Sequence, residues 1–107
     1  MIAALLLAAA LQTSSPSDHD TYEVYGIGQG SCGTWLSTPS NTIQGDQWIL
    51  GWWSATNLAN ERNKFVGEQT DGEGILGEVR KVCTDNPSML LINATASVYV
   101  KMATVSK

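Results

Sequence analysis

Gln47-Trp-Ile-Leu-Gly-Trp-Trp-Ser-Ala-Thr-Asn57 decides the fold. It holds three of the four tryptophans of a 107-residue chain and lies between the only two cysteines, Cys32 and Cys83. Trp48, Trp52, Ala55 and Ala59 recur at helical spacing, so they share one face, and Ile49 with Trp53 form an adjoining stripe. More than half of the circumference is therefore apolar, as expected of a helix at the centre of a core. Gly51 lowers its intrinsic helicity by about 1 kcal/mol relative to alanine, which suggests close approach of another helix between the bulky indoles.

The flanks of this helix are read outward from it. Upstream, Ser31 is an N-cap for a short helix in which Cys32, Trp35 and Leu36 fall on one face. The stretch Ser37 to Gly45, with Pro39, is a loop, and the central helix starts between Ser40 and Asp46. Downstream, Asn57 to Gln69 reads as a helix end and a long surface loop, relieved only by Phe65 and Val66. Thr70-Asp-Gly-Glu73 is a capping-box pattern that opens a third helix, with Ile75, Val79 and Val82 on one face and Cys83 at its border. Arg80 and Lys81 belong to its last turn, where cations suit the helix dipole. Asn86 as N-cap and Pro87 at the first helical position start a fourth helix carrying Leu91, Ala94 and Val98. A C-terminal strand is the alternative there, given Thr95, Val98, Tyr99 and Val100. Helix is preferred because a lone strand lacks a partner. The fold class is thus all-α, a small orthogonal bundle of four helices over residues 31–103 with one disulfide.

The N-terminal third is different in kind. Ile2 to Leu11 is uninterrupted and apolar, too short to span a bilayer at about 20 residues, and a polar run follows it. That is the pattern of a signal peptide over residues 1–10, with Ala8 and Ala10 as small residues for cleavage. An uncleaved anchor or a buried N-terminal helix are the alternatives. Residues 11–30 read as a flexible tail and glycine-rich lead-in. Gly28-Gln-Gly-Ser-Cys-Gly33 matches the dinucleotide fingerprint in letters, but no βαβ unit can be laid out after it, so it is read as a turn.

Export makes the cysteines readable. Two cysteines allow one pairing, and in an oxidising compartment that pairing is the default. The closed loop, about 50 residues, corresponds to a stabilisation of roughly 4 kcal/mol in the chain-entropy model. A thiol nucleophile needs a base, and the one histidine, His19, sits in the tail. No paired-carboxylate motif, metal cluster or complete calcium loop is present in the sequence, which is therefore read as a non-enzyme without cofactor. Ten acids against six bases give a net charge of −4, without the basic patch that a nucleic acid or an anionic membrane requires. Asn93-Ala-Thr95 matches a glycosylation sequon, read as coincidental on a helix.

Ser31-Cys-Gly-Thr-Trp-Leu36, the tryptophan-rich helix, and Asp71-Gly-Glu-Gly-Ile75 leading to Val82-Cys-Thr-Asp-Asn-Pro87 together resemble the HdeA/HdeB family of small periplasmic proteins, most closely its HdeA-like branch. The resemblance spans about residues 31–100 and implies that Cys32–Cys83 ties the first helix to the third around the central one. It also implies an acid-stress chaperone that opens at low pH and holds denatured clients on apolar surface. Trp35, Trp48, Trp52 and Trp53 are the candidates for that surface. Trp53, on the second stripe, is the one expected to be exposed, as a dimer seam or client patch. Asp46, Asp71, Glu73 and Glu78 are the candidate pH sensors, although most such carboxylates serve only as solvated faces or caps. The partners implied are unfolded clients or a second copy of the chain. The rival class is an immunity-type inhibitor, an exported acidic helical domain that blocks one basic secreted toxin.

Overall fold

The computed structural model describes residues 22–105. The expected signal peptide and the first part of the tail lie outside the described residues. Four helices make up the domain: α1 (Cys32–Trp35), α2 (Pro39–Ala59), α3 (Gly72–Asp85) and α4 (Leu91–Val105). The only β pairing among the described residues is an isolated bridge between Ser31 and Leu90. The fold is all-α, and the alternative of a C-terminal strand is resolved in favour of helix. Cys32 and Cys83 are joined, with Cα atoms 5.0 Å apart and both side chains fully buried.

The start of α2 lies earlier than the sequence suggests. Pro39 is its first residue, and the Thr38 hydroxyl accepts from the Asn41 amide at 3.0 Å. A proline with a preset φ and no amide to lose fits the first turn, so the residue read as loop is the helix start. The inward face is also a different one. Gly45, Ile49 and Trp53 are buried, Trp48 and Trp52 are half-buried, and Ala55 and Ala59 are exposed. The adjoining stripe of Ile49 and Trp53 is thus the core stripe. Trp53 is 3 % exposed, against the expectation that it faces solvent.

Two glycines set how closely the elements approach. The Trp35 indole lies against Gly45, and the six-membered ring of Trp48 lies against Gly28; a Cβ at either glycine would overlap the ring. Gly28 belongs to a short 3-10 turn, Gly26–Gln29, which packs on α2 and α4. Gly51, expected at a close helix approach, faces open space: a Cβ added there would meet no neighbouring element within 4 Å.

The third helix starts one residue later than the capping box predicts. Asp71 is the N-cap, its carboxylate accepting from the Gly74 amide at 2.8 Å. A carboxylate makes the stronger cap, and Glu73 in the first turn suits the positive end of the dipole. Ile75, Leu76, Val79 and Cys83 are its buried side. Asn86 is its C-cap, not the N-cap of the next helix: its side-chain amide donates to the Val82 carbonyl at 2.9 Å. Because α3 continues to Asp85, Arg80 and Lys81 lie before its last turn.

Residues 87–90 are spent on pairing. The Gly33 amide donates to the Pro87 carbonyl at 2.9 Å, Cys32 to Met89 at 2.7 Å, and Leu91 to Gly30 at 2.8 Å. Only then does α4 begin, burying Leu91, Ile92, Ala94, Thr95, Val98 and Tyr99. Thr95 is the one buried polar side chain in this core, satisfied by donation to the Leu91 carbonyl at 2.8 Å.

The two helical glycines of α2 should respond to alanine in opposite directions. Gly51→Ala gains helix propensity in open space and raises stability by about 1 kcal/mol. Gly45→Ala must displace the Trp35 indole and lowers it by about 1–2 kcal/mol despite the same propensity gain. Urea denaturation of the two variants beside the parent gives both signs; equal shifts would contradict the packing described.

Candidate functional site

The tryptophans are the candidate binding residues, and three of the four are placed by what the indole N–H finds. A buried indole needs an acceptor. Trp35 is fully buried and its Nε1 donates to both the Thr42 carbonyl and the Asp46 carboxylate, each at 3.1 Å. Trp53 donates to the Val66 carbonyl at 2.8 Å, which pulls Val66 and Gly67 of the long loop inward while Phe65 stays exposed. Trp48 donates to the Tyr25 carbonyl at 2.9 Å, fastening the segment before the 3-10 turn onto α2. Trp52 has no such bond among the described residues and rests on Tyr99 edge to face, with ring centroids 5.6 Å apart.

Tyr99 is the hub of this arrangement. It also meets Trp53, at 5.0 Å between centroids. Its hydroxyl donates to the Asn57 carboxamide at 2.7 Å and accepts from the Asn60 amide at 3.0 Å, while Asn57 donates to the same Val66 carbonyl at 3.2 Å. The end of α2, the loop and α4 are thereby held through one phenol. None of Tyr99, Asn57 or Asn60 stood out in the sequence, where Tyr99 read as strand propensity.

Only two of the four candidate tryptophans therefore reach the surface. Trp48 and Trp52 open on a groove of about 500 Å³ whose other walls include Tyr22 and Tyr25, with Ile92 and Ala96 from α4. Trp35 and Trp53 are core. The two tyrosines were missed as site residues, and the signal that could have found them is the alternating Tyr22-Glu-Val-Tyr25 stretch just before the glycines.

The four candidate acids separate by their surroundings. Asp46 lies where three helices meet: from α2 it accepts from Trp35 of α1 and stands 3.8 Å from the Arg80 guanidinium of α3. Arg80 also lies over the Trp35 ring, 5.1 Å from its centroid. Asp71 is a cap, Glu78 pairs with Lys81 one turn away at 3.0 Å, and Glu73 is exposed in the first turn of α3. The structure does not bring the four together. Among the described residues no group of three His, Cys, Asp or Glu side chains could hold a metal, and no helix is long and apolar enough to cross a membrane. His19 lies outside them.

No family model, no curated protein and no solved structure matches this chain.

Asp46 and Arg80 are both partly solvated, so their attraction alone stabilises by at most about 1 kcal/mol. Asp46→Asn keeps an acceptor for the indole and loses the charge; Asp46→Ala loses both. The expected order is a loss of under about 1 kcal/mol for the first and about 1–2 kcal/mol for the second in thermal or urea unfolding. The same pair of changes at Glu73 should leave stability within about 0.5 kcal/mol of the parent, as for other exposed positions.

Proposed function

We propose that the protein is an exported binding protein of the HdeA-like kind, a holdase that captures denatured clients at low pH on tryptophan-rich apolar surface. The observation that carries this reading is how the tryptophans are divided. Trp48 and Trp52 are half-exposed beside an apolar groove, while Trp35 and Trp53 are held in the core. Loosening the helices adds two large indoles to the surface already present. Ile43, Leu58, Phe65 and Val100, each at least 60 % exposed, extend the apolar area outside the groove.

Charge supplies the drive. At neutral pH the ten acids outweigh the six bases. Once the carboxylates are protonated only positive charges remain, and mutual repulsion favours an expanded, soluble chain. Asp46 differs from the other three candidates in its placement, because it alone joins three helices, through Trp35 of α1 and Arg80 of α3. The Cys32–Cys83 bond survives the same acid and keeps α1 tied to α3, so opening stays partial. That bond also supports an oxidising compartment, periplasmic or secreted.

A titration of the oxidised protein from neutral pH to pH 2, followed by tryptophan emission and far-ultraviolet circular dichroism, tests the reading alongside a client aggregation assay at both ends. Red-shifted emission with helix partly retained, and protection of the client only in acid, is the expected result. A chain that stays compact and protects nothing in acid would contradict it and turn attention to the inhibitor reading, in which one partner is bound tightly by the folded domain.

A further inference from the structure

The groove beside Trp48 and Trp52 has a chemistry that client holding does not use. Four aromatic residues line it, Trp48 and Trp52 from α2 and Tyr22 and Tyr25 from the segment before the 3-10 turn, together with the acidic residue Glu23. Among the described residues no lysine or arginine is in its walls. Its volume, about 500 Å³, lies within the range of small-molecule sites, roughly 300–1,000 Å³. Most of the remaining wall is aliphatic, from Val24, Ile92 and Ala96.

Aromatic rings present negative electrostatic potential on their faces, and several rings around one space with an acid at the rim form a site for a bulky, weakly hydrated cation. A small inorganic ion would lose too much hydration there, and an anion would meet Glu23 and the ring faces. A neutral apolar molecule would fit the walls but gain nothing from the carboxylate. We propose that this groove binds a free small molecule bearing a quaternary ammonium group, with Trp48, Trp52, Tyr22 and Tyr25 as the cage and Glu23 as the counter-charge.

The groove is built before any ligand arrives. The Trp48 Nε1 bond to the Tyr25 carbonyl holds the tyrosine segment against α2, and Gly28 lets the Trp48 ring approach the 3-10 turn closely. The contact of Trp52 with Tyr99 sets the second indole. Such preorganisation lowers the ordering cost of binding.

The test uses the oxidised full chain and two probes of the same shape, choline and its neutral carbon isostere dimethylbutanol. The four indole N–H resonances are followed by NMR as each probe is added at neutral pH. Choline should shift the Trp48 and Trp52 indole signals saturably and leave Trp35 and Trp53 unmoved. The neutral isostere should bind about tenfold more weakly. Tyr25→Ala and Glu23→Gln alter exposed side chains and keep the backbone carbonyl that Trp48 needs, so the fold is retained; each should weaken choline about threefold. Equal response to the two probes, no saturable shift of the groove indoles, or unchanged choline binding in both variants would overturn the proposal. None of these outcomes depends on acid-induced opening, so the proposal stands or falls apart from the holdase reading.

Discussion

A buried indole cannot leave its N–H unpaired; Trp35 and Trp53 meet that demand, and half-buried Trp48 does likewise, with backbone carbonyls outside their own elements. Trp35 reaches Thr42, Trp48 reaches Tyr25 and Trp53 reaches Val66. Each bond crosses from a helix to a segment with little regular structure of its own, or from a short helix to a long one. A domain this small buries limited apolar area, so the position of its loops has to be fixed by a few large side chains that are both apolar and directional. The indole is the side chain that does both.

The disulfide completes what the indoles begin. Helix α1 is only four residues long and could not persist alone. It is held by the covalent bond from Cys32 to α3, by the Trp35 ring seated against Gly45, and by the backbone pairing of Gly30, Cys32 and Gly33 with residues 87–91. Asp46 lies within this same junction, accepting from Trp35 of α1 and pairing with Arg80 of α3. The contacts that hold α1 thus converge on one corner of the molecule, while Trp48 and Trp52 shape a surface.

Much of the architecture could be read from residue spacing. The tryptophan-rich helix, the Ser31 cap, the third helix through Cys83 and the helical C-terminus all stand in the structure. What spacing could not settle was which of two adjoining apolar stripes faces inward. Trp48 with Trp52 and Ile49 with Trp53 are equally periodic, and the choice was made by contacts far away in sequence: Val66 for Trp53 and Tyr25 for Trp48. For the same reason Trp53 was expected at the surface. Asn86 and Pro87 carry the letters of a helix start, yet residues 87–90 pair with the chain around Ser31 first, a long-range demand that local signals do not contain. Of the groove, Trp48 and Trp52 were legible, whereas Tyr22 and Tyr25 join it only because the chain folds back onto α2.

The most direct measurement of this account is hydrogen exchange of the four indole N–H groups at neutral pH. Trp53, whose N–H is buried on the Val66 carbonyl, should exchange only through global unfolding, and Trp35 should behave alike. Trp52, lacking a bonded partner among the described residues, should exchange orders of magnitude faster, with Trp48 between them. If Trp53 exchanged as fast as Trp52, its bond to Val66 would not be holding the loop, and the claim that the indole N–H groups organise the domain would be wrong.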